Sequence, residues 1–213
     1  MKQKISCLCG SAFTVDVDEE CDLDKNPELY RQIMNGTFLN FTCSECGKKH
    51  KPEFPLIVLW PQKKLRIEVL PELERGEFIR RKKDPPHTET IIGYPELADR
   101  LAVIRDGLEP VAIEALKYFL LVRAEESYPD LRISAWYHCI KSDSEGNGEY
   151  IEFHLHGIKA DEVAISKIPW RLYEKNLADF RKKPKSELFT SLRLRTYLSV
   201  ANMIRPDIYG VDK

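Results

Sequence analysis

The sequence predicts an α+β fold, and three observations carry that expectation. Apolar and polar residues alternate in the N-terminal third and again near residue 150; apolar residues recur at helical spacing between those regions and toward the C-terminus; and no internal repeat appears. At 213 residues the chain can bury a substantial core without disulfides.

Residues 3 to 18 read as a strand, with Phe13, Val15 and Val17 on one face and Thr14, Asp16 and Asp18 on the other. A helix follows, capped by Asn26, opened by Pro27 and closed by Gly36, with Leu29, Ile33 and Met34 sharing a face. "FLNFTCSECGKKH" then reads as a strand entering a turn, and "PLIVLWPQKKLRIEVLP" as two strands joined at Pro61-Gln62-Lys63. These elements make a β-rich unit with an inserted helix, expected over residues 1–80. The charged stretch "RRKKDPPHTET", interrupted by Pro85 and Pro86, reads as a connector.

An α+β part is expected over residues 81–213. It begins with a helical hairpin over 95–126: Pro95 to Asp106, stopped by Gly107, then Glu109 to Glu126 with Pro110 in its first turn. Ala112, Ile113, Leu116, Phe119 and Leu120 lie at core spacing in the second helix. "LRISAWYHCI" and "EYIEFHLHGI" read as a β-hairpin over 131–157 around "KSDSEGNG". Helices over 171–205 complete the chain: "RLYEKNLADFRKK", then "SELFTSLRLRTYLSVANMI", capped by Ser186 and stopped before Pro206.

With 33 basic against 34 acidic residues, the global charge gives no pull toward nucleic acid or an acidic membrane. No stretch approaches the roughly 18 apolar residues of a membrane span, and "MKQKISCLCGSAF" has no apolar signal core. A cytoplasmic protein with no membrane association is expected. In a reducing cytosol its six cysteines point to metal or catalysis rather than to disulfides.

Cys43-Ser44-Glu45-Cys46-Gly47 has the spacing of a zinc knuckle, whose tight turn aims two thiolates at one ion and whose glycine relieves the backbone just beyond. Cys7-Leu8-Cys9-Gly10 is similar to a second half with one spacer; on an extended segment its two sulfurs share a face. A strand, a helix and a returning strand between the pairs can bring them together. Cys7, Cys9, Cys43 and Cys46 are therefore the candidate ligands of a structural zinc ion, making the N-terminal unit zinc-ribbon-like; four thiolates fill the tetrahedron and leave no catalytic position. Lys2, Lys4, Lys48 and Lys49 would offset the excess negative charge. His50 is an alternative ligand in place of Cys7 or Cys9. Buried free thiols are a further reading, as is a redox pair, against which Cys9-Gly10 leads into a strand rather than a helix. Cys21 and Cys139 lack paired spacing and are expected to be inert.

Cys9-Gly10, "NPELYRQIMNGTFLNFTCSECG" and "PLIVLWPQKKLRIEVLPE" together give the chain a resemblance to the bacterial family named for its CpXC motifs, whose members carry a four-cysteine N-terminal domain without an established activity. "YPELADRLAVIRDGLEPVAIEALKYFLL" is similar to the family's helical region. The resemblance implies Cys7, Cys9, Cys43 and Cys46 as zinc ligands and supplies no substrate. The chain departs from the family pattern in Ser44, where the motif has proline, and in the single spacer of the first pair.

Outside the cysteines, His154 and His156 share a strand face with Glu152, and His138 lies on the expected partner strand. These three histidines are the candidates for a metal-dependent enzyme; a solvated polar face is the plainer reading. "DSEGNGEYIEFH" begins like a calcium loop from Asp143 through Glu145 and Asn147 to Gly148, but His154 stands at its twelfth position, which favours a hairpin loop. Arg80, Arg81, Lys82 and Lys83, and Arg181, Lys182, Lys183 and Lys185, are basic clusters able to contact phosphate. No phosphate-binding glycine loop or nucleophile elbow is present. The expected function is that of a zinc-stabilised binding or regulatory protein whose partner is another protein; a nucleic-acid-binding module and the histidine enzyme are the alternatives.

Overall fold

A computed structural model describes residues 1–81, 88–142 and 148–204. It is α+β, and the chain divides into two units, Met1–Ala98 and Asp99–Lys213. Residues 82–87 of the connector, with both its prolines, the start of the calcium-like loop and Pro206 lie outside the described residues.

In the first unit, β1 (Lys2–Ser6) and β2 (Ala12–Asp16) pair antiparallel, Lys2 opposite Asp16 and Ser6 opposite Ala12. The expected single strand over 3–18 is thus corrected to a hairpin. The turn is set by Gly10 at φ +90°, where a side chain would be strained, and by amide bonds from Gly10 to the Cys7 carbonyl (3.0 Å) and from Cys7 to the Ser11 carbonyl (2.8 Å). The predicted alternation survives: Phe13 and Val15 pack on an apolar cluster of Ile5, Val17 and Phe54, while Thr14 and Asp16 are exposed.

β3 (Glu20–Asp22) leads to α1 (Pro27–Met34), whose cap is as expected, Asn26 Oδ1 accepting from the Glu28 amide at 3.2 Å. β4 (Phe41–Thr42) and β5 (Lys49–His50) form a short antiparallel pair with Phe41 opposite His50. β6 (Leu56–Trp60) and β7 (Leu65–Leu70) are the hairpin predicted at Pro61-Gln62-Lys63. The sequence pattern does not show β3, α2 (Arg75–Arg80) or β8 (Glu89–Ile92); β3 and β8 are too short to show a period, and β8 runs parallel to β7. The strands lie in the order β8-β7-β6-β3, with Val58, Ile67 and Val69 fully buried.

α3 (Tyr94–Arg105) and α4 (Pro110–Ser127) are the expected helical pair, separated by Gly107 at φ +71°. Ala112, Ile113 and Leu116 are buried as predicted; Phe119 is 50% exposed, which corrects its assignment to the core. Buried charges link elements of the second unit. Lys117 Nζ bridges Asp99 and Glu114, the latter at 2.8 Å. Asp99 Oδ1 accepts from the Tyr137 amide (2.6 Å), Glu114 Oε2 from the Val200 amide (2.7 Å), and Arg100 donates to the Leu198 carbonyl (2.7 Å).

The predicted β-hairpin is a three-stranded antiparallel meander of β9 (Ser134–Ser142), β10 (Glu149–Lys159) and β11 (Glu162–Pro169), in the order β11-β10-β9. The tight turn into β11 passes through Asp161 at φ +60°. α5 (Trp170–Lys182) and α6 (Glu187–Ser191) follow. The long helix expected from Ser186 is corrected: after α6 the chain makes a hairpin of β12 (Arg193–Leu194) and β13 (Tyr197–Leu198), then α7 (Ala201–Ile204). Helical winding gives way because Leu192, Tyr197 and Leu198 are all buried, Leu192 and Leu198 packing with Phe189, and tertiary burial outweighs local propensity. Among the described residues no helix is long and apolar enough to cross a membrane.

Candidate metal centre

Both cysteine pairs sit on hairpin turns of the first unit. Cys7 and Cys9 occupy the β1–β2 turn, so their sulfurs are aimed by a turn and not by the face of an extended strand. Cys43 and Cys46 occupy the β4–β5 turn, closed by amide bonds from Gly47 to the Cys43 carbonyl (2.9 Å) and from Cys43 to the Lys48 carbonyl (2.9 Å), with Gly47 at φ +70°. The Phe13 ring on β2 meets His50 on β5 edge-on at 5.8 Å, which holds one hairpin against the other.

The result is that all four sulfurs lie within 4.8 Å of one another. Cys7 Sγ is 3.5 Å from Cys46 Sγ, and Cys9 Sγ is 3.8 Å from Cys43 Sγ. A tetrahedral zinc with bonds of about 2.3 Å to sulfur requires sulfur–sulfur edges of about 3.8 Å. The donor set and its spacing therefore fit a metal ion, and the single spacer of the first pair does not prevent the clustering. Cys7 and Cys43 are buried; Cys9 and Cys46 open to solvent.

Two further side chains touch the sulfurs. His50 Nε2 lies 3.3 Å from Cys7 Sγ, beside the four-sulfur group and not in place of one of its members. Ser11 Oγ lies 3.1 Å from both Cys9 Sγ and Cys43 Sγ. Nothing in the cysteine spacing marks Ser11; its position directly after the turn glycine is the one local hint. Without an ion the thiols compete. The Ser11 hydroxyl leads in lowering Cys43 to about 6 and in lowering Cys9, whereas Cys46 is pushed up to about 12. For Cys46 the Lys48 amide favours the thiolate, but Cys7, burial and the remaining sulfurs together outweigh it. A dication removes this conflict, since it stabilises every thiolate at once. Lys48 and Lys49 are exposed just after the Cys43–Cys46 turn and Lys4 is exposed on β1, whereas Lys2, opposite Asp16, stands at the end of the hairpin away from the sulfurs.

The sequence pattern of the family described as "CpXC protein" matches residues 5–117, a span that contains both cysteine pairs. The chain belongs to the CpXC family. This CpXC protein is also 28% identical over 217 residues to a protein of Treponema pallidum (strain Nichols) described as "Uncharacterized protein", an alignment covering 94% of this chain and 97% of the relative. No solved structure matches it.

The predicted histidines lie in the second unit. His138 and His154 stack, with ring centroids 4.0 Å apart and planes at 18°. Their Nε2 atoms are 3.9 and 3.4 Å from Glu152 Oε1, and Lys141 Nζ is 2.8 Å from Glu152 Oε2. That lysine bond is the first cause holding the Glu152 carboxyl below its ordinary range. His156 pairs with Ser134 farther along β10, exposed and outside this group; Cys139, read as inert, lies inside it.

Of the basic clusters, Arg81 is committed to a fork on Glu68 at 2.9 and 2.6 Å, and Lys82 and Lys83 lie outside the described residues. Arg181, Lys182, Lys183 and Lys185 are exposed. Lys182 and Lys183, with Lys175 and Arg123, rim a groove of about 660 Å³ between α4 and α5 whose apolar lining includes Phe119 and Leu172.

Proposed function

We propose that this CpXC protein is a zinc-stabilised binding or regulatory protein of the cytoplasm, in which Cys7, Cys9, Cys43 and Cys46 hold one structural zinc ion and the partner is another protein. The carrying observation is the four-sulfur group, whose contacts match the edges of a zinc tetrahedron. A shell of four thiolates leaves no position for water or substrate, so zinc there supplies folding free energy and not catalysis. The groove between α4 and α5 supports the binding role: Phe119 is 50% and Leu172 38% exposed on an apolar surface, which association would remove from water.

Affinity capture with the full chain tests the binding role. A partner protein retained by wild type and lost with Phe119→Ser, at unchanged zinc content, supports it; a partner indifferent to both Phe119→Ser and Leu172→Ser overturns the groove assignment. Nucleic acid is the second candidate, on the exposed Arg181, Lys182, Lys183 and Lys185. It is distinguished by a mobility shift that weakens steeply as salt rises.

A further inference from the structure

We propose that His138, Cys139 and Glu152 form a second divalent transition-metal site, of mixed nitrogen, sulfur and oxygen donors. Glu152 pairs with Cys139 and Phe153 with Tyr137, so His138 is an extra residue in β9, a bulge. On a regular strand neighbouring side chains point to opposite faces; a bulge disrupts the ladder locally and re-aims one of them. Here it lets His138 and Cys139, adjacent in sequence, both present a ligand atom to Glu152, the three atoms lying within 4.8 Å of one another.

Glu152 is 3% exposed, and its two oxygens are differently engaged. Oε2 accepts from Lys141, while Oε1 faces the imidazole nitrogens of His138 and His154. Oε1 is thus the donor offered to a cation, and Lys141 fixes the carboxylate from behind as an outer partner. His154 braces the other side by stacking on His138. Thiolate and carboxylate balance the charge of a dication, and the soft sulfur with an imidazole selects Zn²⁺, Co²⁺ or Ni²⁺ over Mg²⁺ or Ca²⁺. The His138 side chain is 48% exposed, so the ion is reachable from solvent, and three protein ligands leave a coordination position for water or a small anion. This site is independent of the four-cysteine group.

The test is a Co²⁺ titration of the full chain carrying zinc in the four-cysteine group, followed by absorbance and by elemental mass spectrometry after desalting. Wild type is expected to take up one cobalt ion with a thiolate-to-cobalt absorption band. That band disappears in Cys139→Ser, uptake is lost in His138→Ala, and His154→Ala weakens binding by about tenfold. His138 is exposed enough that its variant keeps the fold, which far-UV circular dichroism verifies, and retained zinc in every variant separates this site from the first. Absence of cobalt uptake by wild type, or uptake unaltered in both Cys139→Ser and His138→Ala, overturns the proposal.

Discussion

The Cys9 and Cys43 sulfurs lie 3.8 Å apart although 34 positions separate them in sequence. They belong to two different hairpin turns, and β4 and β5 have two residues each, too few to persist alone. An ion at this point would cross-link the two turns, which the Phe13–His50 contact otherwise joins. Chelation is expected to abolish amide hydrogen-exchange protection over residues 2–16 and 41–50 while β6 and β7 stay protected, since Val58, Ile67 and Val69 are buried independently of the sulfurs. Unchanged protection over both hairpins after complete metal removal would show that the apolar cluster of Ile5, Val17 and Phe54 suffices.

Gly157 has no room for a side chain. It sits at φ +94°, and a Cβ there would fall 2.1 Å from the Arg132 carbonyl oxygen. Gly157→Ala should lower the stability of the second unit by about 2–4 kcal/mol, read as a lower urea midpoint at unchanged slope. A loss below about 1 kcal/mol would mean that the strand end shifts freely to relieve the clash.

Lys117 is the cation between two buried carboxylates. Lys117→Met removes it while Asp99 and Glu114 still accept backbone amides, leaving uncompensated charge at an expected cost of about 3–5 kcal/mol. Adding Asp99→Asn to Lys117→Met should recover part of the loss; denaturant unfolding of the two variants measures both. If the double variant is no more stable than the single one, charge is not the cause.

Burial, with Asp18 and Glu20 adding to it, raises the Cys21 thiol to about 11. The thiolate is the reactive form, so about one molecule in a thousand is competent at pH 8, and that fraction grows tenfold with each unit of rising pH below the pKa. Alkylation mapped by peptide mass spectrometry between pH 8 and 9.5 should leave Cys21 largely unmodified, with the rate climbing with pH. Fast, pH-independent modification would contradict this environment.

The sequence made legible what has a local cause. Asn26, Pro27 and Gly36 bound α1, Gly107 separates α3 from α4, and Pro61-Gln62-Lys63 turns β6 into β7. Cys43 and Cys46 stand out because a knuckle's spacing is itself the geometry, whereas the single spacer of Cys7 and Cys9 becomes workable only through a hairpin turn that the sequence pattern does not show. What stayed hidden depends on non-glycine turns and on distant packing. Asp161 and Arg195 adopt positive φ without glycine, so the turns into β11 and β13 carry no strong signal. The run from Ser186 carries helical periodicity, and only the burial of Leu192 and Leu198 beside Phe189 turns it into a hairpin. Ser11 bridging two sulfurs and the bulge at His138 arise from pairing register, which no single strand encodes.

Elemental mass spectrometry of the full chain purified without added metal decides whether Cys7, Cys9, Cys43 and Cys46 hold one zinc ion. Zinc content is expected to fall by one ion per chain on Cys43→Ser. Zinc-free protein whose Cys7, Cys9, Cys43 and Cys46 all titrate as free thiols would contradict it.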